Sequence, residues 1–309
     1  MLTLHIIGID RLTPRISAFT MVSANDETLP IWTPGAHIGV TTTAGARSYS
    51  LIEWPKTEPN QYQIAIQLEE DGEGGSAAMH ALKVGDVIEA TTPSNDFELV
   101  DQGRPVALLA GGIGVTPLIS MATRLAKQGP FQFHYAGRNA DEIAYVEPLS
   151  AAFPDAFHAY FDDTNPLDLP ALMADLKDHA LYICGPKGMI DAARTAAEAT
   201  GIDPAHIHVE LFTNVALTQA ADAFEVEIAS SGQVIPVGPD QSIIDALEDA
   251  GLDLIYDCQR GDCGICQTDV ISGVPDHRDV VLSQAEKDSG KVMQICVSRA
   301  LSPRLVLDL

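Results

Sequence analysis

The chain has 309 residues, which is too long for one ordinary domain and suits two or three domains that each bury a core. Hydrophobic residues make up 46% and charged residues 20%, which excludes a disordered chain. Forty-three acidic and eighteen basic residues give a formal charge of −25. This charge repels phosphate backbones and anionic lipids, so we expect neither nucleic acid nor a membrane as a partner. Solubility is a second explanation of the acidity.

No targeting or membrane segment is predicted. The N-terminus MLTLHIIGIDRL lacks a basic start, and no segment approaches the roughly 20 apolar residues that span a bilayer. We therefore expect a cytoplasmic protein. Separately, we expect the protein to be a monomer. In a reducing compartment grouped cysteines hold a metal more often than they form disulfides. Four of the five cysteines lie in the last third of the chain, and Cys184 stands apart.

Residues 1–101 are predicted to form a small antiparallel β-barrel. The segments LTLHIIGI, RISAFTMV, HIGVTTT, RSYSLI and YQIAIQLE have the alternation of short strands broken by turns, and SAAMHAL predicts one short helix. RSYSL and the later GEGGS combine an arginine for phosphate, a tyrosine ring for a flat heterocycle and a Gly-Gly-Ser turn. Together these parts could hold a flavin. Taken singly, Arg47 is more typical of an ordinary surface arginine, and Tyr49 is more typical of a core residue.

Residues 102–212 alternate strands with helices, which predicts a parallel sheet with helices on both faces. The strand PVALLA leads into Gly111, Gly112 and Gly114, and Thr116 with the next proline opens a helix. Such a turn presents backbone N–H groups to a pyrophosphate. A second strand, ALYIC, ends in Cys184-Gly185-Pro186, and two neighbouring strand ends form the crevice where α/β sheets bind ligands. Cys184 could also be an inert buried cysteine.

Residues 213–223 are predicted to be a linker, and residues 224–309 a third domain. AFEVEIASSGQVIPV predicts a hairpin, SIIDALEDAG a short helix stopped by Gly251, and RLVLDL a last strand. Between them the cysteines have the spacing C-x4-C-x2-C, with a fourth cysteine after 29 more residues. This spacing is typical of a plant-type 2Fe–2S cluster, and a structural zinc site is the alternative. The ligands of the cluster are predicted to be Cys258, Cys263, Cys266 and Cys296.

These motifs, in this order, resemble the phthalate dioxygenase reductase family, whose relatives include the reductases of vanillate demethylase and carnitine monooxygenase. The similarity covers essentially the whole chain, including PDHRD at 275–279. It implies a flavin-binding barrel that holds FMN, an NADH-binding α/β domain and a C-terminal β-grasp ferredoxin domain. The flavin ring and its chain would contact Arg47, Ser48, Tyr49 and Ser50, and the flavin phosphate Gly74, Gly75 and Ser76. Ala65, Ile66 and Gln67 would run along the ring, although the family often has Lys or Arg where this chain has Gln67.

The resemblance also implies the function of an NADH-dependent reductase component of a Rieske-type oxygenase, docked transiently. NADH gives two electrons at once and the cluster accepts one, so the flavin converts between them. Thr116, Cys184 and Phe212 would lie near the nicotinamide, and no general base is needed. Phe212 could also be a plain core residue. The rival functions are a stand-alone flavin or ferric reductase and an electron-transfer subunit of a dehydrogenase.

Three choices stay open at this point. FAD is the alternative to FMN. Arg138 would favour NADPH, whereas Asp162 and Asp163 would repel its extra phosphate and favour NADH. Arg260, on the cysteine loop, could orient the oxygenase or be an ordinary solvated charge.

Overall fold

The computed structural model describes residues 1–70, 72–212 and 222–309. These residues divide into two compact units, one of residues 1–185 with 205–208 and the other of residues 186–204 with 209–309. The partition into domains at 1–101, 102–212 and 224–309 remains a prediction. Residues 213–221 of the predicted linker lie outside the described residues.

The first unit begins with an antiparallel barrel sheet of order β4-β3-β6-β1-β2-β5. Leu4 and Ile6 of β1 are fully buried, and a β-bulge between Ile6 and Gly8 bends the β1–β2 ribbon. The end strands β4 and β5 lie close together, so the barrel is nearly closed. Its elements are β1 (Leu2–Arg11), β2 (Ile16–Ser23), β3 (His37–Thr42), β4 (Gly45–Ser50), β5 (Tyr62–Gln67), α1 (Gly75–His80) and β6 (Val87–Ala90).

A parallel sheet of order β11-β10-β7-β8-β9 follows. Every residue of β7 and of β10 is buried, as expected of central strands covered on both faces. A 3-10 turn (Gly112–Gly114) joins β7 to α2, and a second (Pro204–His206) precedes β11. The elements are β7 (Val106–Gly111), α2 (Val115–Leu125), β8 (Gln132–Gly137), α3 (Val146–Ala152), β9 (Phe157–Phe161), α4 (Leu169–Asp175), β10 (Ala180–Cys184), α5 (Lys187–Thr200) and β11 (Ile207–Glu210).

Helix α2 is fixed to the chain that leaves β4. The Ser120 hydroxyl donates to the Leu51 carbonyl at 2.8 Å and accepts from the Glu53 N–H at 2.9 Å. The Thr123 hydroxyl donates to the Glu53 carbonyl at 2.7 Å. Because α2 starts directly after the 3-10 turn, these bonds hold the glycine-rich turn beside the barrel.

The second unit contains an α+β fold with a sheet of order β13-β12-β18-β14-β16. The C-terminal strand β18 pairs in parallel with β12 and antiparallel with β14, and the predicted hairpin is β12 with β13. A capping box of Ser242 and Asp245 starts α6. The elements are β12 (Phe224–Ile228), β13 (Val234–Val237), α6 (Ile243–Asp249), β14 (Gln267–Ser272), β15 (Pro275–Asp276), α7 (Gln284–Ser289), β16 (Val292–Gln294), β17 (Arg299–Ala300) and β18 (Arg304–Leu307).

Across the described ranges, no helix combines the length and the apolar character that crossing a bilayer demands.

Candidate functional site

The structure brings the predicted phosphate-binding residues of the barrel together. The side chain of Arg47, on β4, lies over Gly75, where a Cβ would come within 2.7 Å of the arginine Cγ. Gly74 precedes α1 with a φ of 88°, a left-handed conformation that glycine adopts without strain. The Ser76 hydroxyl accepts the Glu69 N–H at 3.0 Å. A larger residue at 75 would push the arginine away, so this cradle fits a phosphate.

A carboxylate that the sequence did not single out also lies at this cradle. Glu73 pairs with the Arg47 guanidinium at 2.5 Å. Its side chain is 77% exposed, so an anionic ligand can displace it easily. In the sequence, the feature that could have identified Glu73 was its position next to Gly74 in the GEGGS segment.

The predicted ring-binding residues offer a neutral, partly apolar surface. Burial raises the pKa of Tyr49 to about 12, against the opposing effect of Arg47, so the phenol stays neutral. Ala65 and Ile66 are buried, and the Gln67 amide donates to Glu69 at 2.7 Å. Ser50 is buried and Ser48 exposed. Strand β5 lies close to β4, to α1 and to the 3-10 turn, so these residues surround one region of the first unit that suits a flavin.

The two glycine motifs of the parallel sheet touch each other. Strands β7 and β10 are parallel neighbours, with Cys184 opposite Ala110, so their carboxyl ends lie side by side. A Cβ at Gly114 would lie 2.3 Å from the Cys184 carbonyl oxygen and 2.7 Å from the Gly185 nitrogen. Only glycine permits this approach. The arrangement forms the predicted crevice at the strand ends.

The remaining predicted nucleotide residues lie at the same strand ends. Gly111 ends β7, and Gly112 accepts a hydrogen bond from the Tyr135 hydroxyl at 3.0 Å, a contact that the sequence did not predict. The buried Thr116 hydroxyl donates to the Ile113 carbonyl at 3.1 Å. Cys184 is fully buried.

Two predicted residues belong to the second unit. Pro186 caps the start of α5, and Phe212 follows β11 with its side chain 41% exposed. The roles of Pro186 at the nucleotide and of Phe212 beside the flavin stay predictions.

The four predicted cluster ligands converge in the second unit. The sulfur of Cys258 is hydrogen-bonded to those of Cys263 and Cys296, and Cys266 to Cys296. These bonds lower the pKa of Cys258 and Cys266 and raise the pKa of Cys263 and Cys296. Four neighbouring cysteine sulfurs are the ligand set of a plant-type iron–sulfur cluster, so the donor set fits such a cluster.

The loop around these sulfurs depends on a close approach. Gly261 has a φ of 79°, and a Cβ there would lie 2.6 Å from a methyl carbon of Val297. The Arg260 N–H donates to the Cys258 sulfur at 3.3 Å, which stabilises negative charge on the sulfur. Val280, next to the PDHRD segment, donates its N–H to the Gly261 carbonyl at 3.0 Å. The residue that follows the PDHRD segment, Val280, is therefore hydrogen-bonded to the cluster loop.

Arg260 is not a solvated charge. Its side chain is 18% exposed and lies 3.3 Å from Asp262 and 3.8 Å from Glu210. Burial alone would lower the pKa of Arg260, but Asp262, Glu210 and the Cys258 thiolate outweigh it and raise that pKa. Burial raises the pKa of Asp262 to about 7, with Arg260 opposing the shift. The alternative of a solvated loop arginine is therefore wrong.

Comparison with known proteins identifies the domain that contains the four grouped cysteines. Residues 226–301 match the 2Fe-2S iron-sulfur cluster binding domain. The chain is 41% identical over 281 residues to the phenoxybenzoate dioxygenase subunit beta of Ectopseudomonas oleovorans, covering 89% of this chain and 87% of the relative. It is 39% identical over 314 residues to the tetrachlorobenzoquinone reductase of Sphingobium chlorophenolicum, covering 97% and 96%.

Among solved structures, phthalate dioxygenase reductase matches with a TM-score of 0.69 at 31% identity, covering 100% of this chain and 98% of the other. That structure is described as a modular structure for electron transfer from pyridine nucleotides to [2Fe-2S]. An intact type IV self-sufficient cytochrome P450 monooxygenase also matches, with a TM-score of 0.72 at 34% identity, but this chain spans only 41% of its length. The matches confirm the predicted fold class, the oxidoreductase class and the flavin, pyridine nucleotide and 2Fe–2S cofactors. With 41% identity to one relative and full-length likeness to that reductase, the chain belongs to the phthalate dioxygenase reductase family.

Proposed function

We propose that this reductase passes electrons from NADH through FMN and a 2Fe–2S cluster to the Rieske-type oxygenase of a two-component system. The observation that carries the proposal is that one unit of the chain brings four cysteine sulfurs together, and the other unit holds a glycine crevice beside a flavin-type barrel. The flavin, when bound, supplies the exchange between two-electron and one-electron transfer. The direction is favourable, because plant-type clusters sit near about −400 mV and Rieske clusters at about −150 mV or above.

The chain's own residues bind and orient these groups. Arg47, Gly75 and Ser76 would hold the flavin phosphate, and the neutral Tyr49 would pack on the ring; the contact of Arg47 with Gly75 and the raised pKa of Tyr49 support these roles. The crevice between Gly114 and Cys184 would receive the nucleotide, and the close approach of Gly114 to the Cys184 carbonyl supports this role. No side chain is needed to move a proton, since the transfer runs between cofactors.

FMN is proposed rather than FAD, since in the phthalate dioxygenase reductase family the flavin at this Gly-Gly-Ser turn ends at its phosphate, and the sequence has no obvious aromatic platform for an adenine. Analysis of the flavin released from the purified protein distinguishes FMN from FAD. Finding AMP after phosphodiesterase treatment of that flavin would refute FMN.

The function is tested by mixing the purified protein with the oxygenase from the neighbouring reading frame and NADH. We expect the Rieske signal of the oxygenase to appear by EPR as NADH is consumed. Absence of Rieske reduction, in a sample whose own cluster is reduced by NADH, would exclude this acceptor.

A quinone is the second candidate acceptor, because a relative 39% identical over 97% of this chain is named a tetrachlorobenzoquinone reductase. The purified reductase is therefore given NADH and tetrachlorobenzoquinone without any oxygenase. A kcat/KM for the quinone well above that for the oxygenase would favour this second function.

A further inference from the structure

Within the second unit, a buried group of charged side chains joins the cluster loop to residues 210–211, which precede Phe212. Glu210 is the last residue of β11, and its carboxylate lies 3.8 Å from the Arg260 guanidinium. Asp262 lies 3.3 Å from Arg260 and accepts the Leu211 N–H at 2.9 Å. All of these residues belong to the second unit. We call Glu210, Arg260 and Asp262 the bridging triad.

The bridging triad is shielded from water. The side chains of Glu210 and Asp262 are only 4% and 3% exposed, and that of Arg260 18%. Burying charges is costly, and removing one partner leaves an uncompensated charge behind. A loop that only had to wrap the cysteines could leave an arginine in solvent. Here the cluster loop instead holds its arginine against the end of β11.

The triad is also electrically close to the cluster ligands. The Arg260 backbone N–H donates to the Cys258 sulfur at 3.3 Å, so the Arg260 residue directly contacts a predicted cluster ligand. In a region shielded from water, fixed charges interact with a neighbouring charged group more strongly than they do in solvent. A nearby positive charge favours the reduced, more negative cluster, and a nearby carboxylate disfavours it.

We infer that Glu210 and Arg260 are positioning residues for electron transfer, which hold the cluster loop on the segment leading to Phe212 and set the cluster potential by opposed charges. This inference rests on the proposed function. Asp262 fixes the same contact through the Leu211 N–H. The effect is specific to the cluster and leaves reduction of the flavin by NADH unchanged.

The test compares Arg260→Gln, Arg260→Lys and Glu210→Gln with the wild type. The midpoint potential of the cluster is measured by EPR during a dithionite titration, and flavin and cluster reduction by NADH are followed separately by stopped flow. Arg304→Gln is the matched control, because Arg304 also pairs with two carboxylates, Glu225 and Glu227, but is 45% exposed.

We expect Arg260→Gln to make the midpoint potential of the cluster more negative by about 59 mV. For one electron this shift corresponds to a tenfold change in the equilibrium constant of electron exchange. Glu210→Gln should shift it in the opposite direction, and Arg260→Lys should stay near the wild type. Cluster reduction should slow about tenfold in Arg260→Gln, while flavin reduction and the Arg304→Gln control keep the wild-type rates.

The inference would be overturned if Arg260→Gln and Glu210→Gln shifted the midpoint potential of the cluster in the same direction. It would also be overturned if neither variant differed in potential from the Arg304→Gln control. If the Arg260→Gln protein does not hold a cluster, the midpoint potential of Glu210→Gln is the test. A potential more positive than that of the wild type supports the inference, and any other result refutes it. A wild type whose cluster is reduced by dithionite but not by NADH would instead refute the proposed function, and the potentials could still be compared.

Discussion

Gly114 is a residue at which no side chain fits. Gly114→Ala would place its Cβ 2.3 Å from the Cys184 carbonyl oxygen, which is backbone and cannot rotate away. We expect a loss of stability of about 1–3 kcal/mol, as for overpacking, together with a higher KM for NADH because the crevice is forced open. Thermal unfolding and steady-state kinetics measure the two effects.

Gly8→Ala is the control for this change, since a Cβ at Gly8 would meet Thr20 at an ordinary 3.6 Å. Equal KM values for the Gly114 and Gly8 variants would contradict the assignment of the crevice.

His134 makes stability depend on pH. The side chain is 3% exposed, stacks on His158 and shares a hydrogen bond of 3.0 Å with the Tyr160 hydroxyl. Burial, and then the charges of His158 and His179, lower its pKa from 6.5 to about 4. Between these two pKa values the imidazole of His134 is therefore protonated in the unfolded chain but neutral in the folded chain. Stability is lost as the pH falls from about 6.5 to about 4, by at most about 3 kcal/mol.

His134→Gln should flatten this part of the pH profile in denaturant titrations between about pH 4.5 and about pH 7. Tyr160→Phe removes the hydrogen bond but keeps the imidazole, so it should retain the slope. The same slope in His134→Gln would show that another group is responsible.

At the scale of elements, the cluster loop separates the iron–sulfur and zinc interpretations of the cysteines. Cys296→Ser removes a buried ligand that is hydrogen-bonded to the sulfurs of both Cys258 and Cys266. We expect the red-brown absorbance and the iron content to be lost. Cys184→Ser, outside the loop, should keep both, although it alters the nucleotide crevice. Zinc without iron in the wild type by elemental analysis would refute the cluster.

Local patterns predicted most elements, but not the contacts between distant segments. The alternation in LTLHIIGI and the all-apolar PVALLA identified β1 and β7, and the cysteine spacing identified the ligand set. The pairing of Arg260 with Glu210 joins residues 50 positions apart, and no periodicity records such a contact. The strand VIEA (β6) was missed, since four residues give too little alternation to be recognised.

The strand ends also predict which nucleotide is preferred. Arg138 follows β8 and is 79% exposed, while Asp162 follows β9 and donates its N–H to the Gly137 carbonyl at 3.1 Å. A 2′-phosphate at these strand ends would meet the charges of Asp162 and Asp163, which are exposed. We therefore expect NADH to have the higher kcat/KM. Asp162→Ser with Asp163→Ser should raise kcat/KM for NADPH several-fold.

Arg138→Ser serves as the opposite change and should lower the use of NADPH further. Equal kcat/KM values for NADH and NADPH in the wild type would contradict the preference.

At the scale of the whole molecule, the charge of −25 suits a basic acceptor surface. Residues 224–309 carry fifteen acidic and six basic side chains. Just before Cys258 the exposed side chains of Asp253 and Ile255 flank the cluster loop, Ile255 being 83% exposed. An acidic surface with an apolar residue beside the electron donor is the chemistry of a fast, transient encounter with a basic partner.

We therefore expect electron transfer to the oxygenase to slow by about tenfold between low and high salt, because screening removes the attraction between the two proteins. Asp253→Lys should weaken the encounter more than Glu27→Lys, which makes the same change in net charge at an exposed position after β2. The measurement is the second-order rate of Rieske reduction under excess NADH, across a salt series. Equal losses in the two variants would show that net charge alone drives the encounter, and a rate indifferent to salt would mean that the acidity serves solubility.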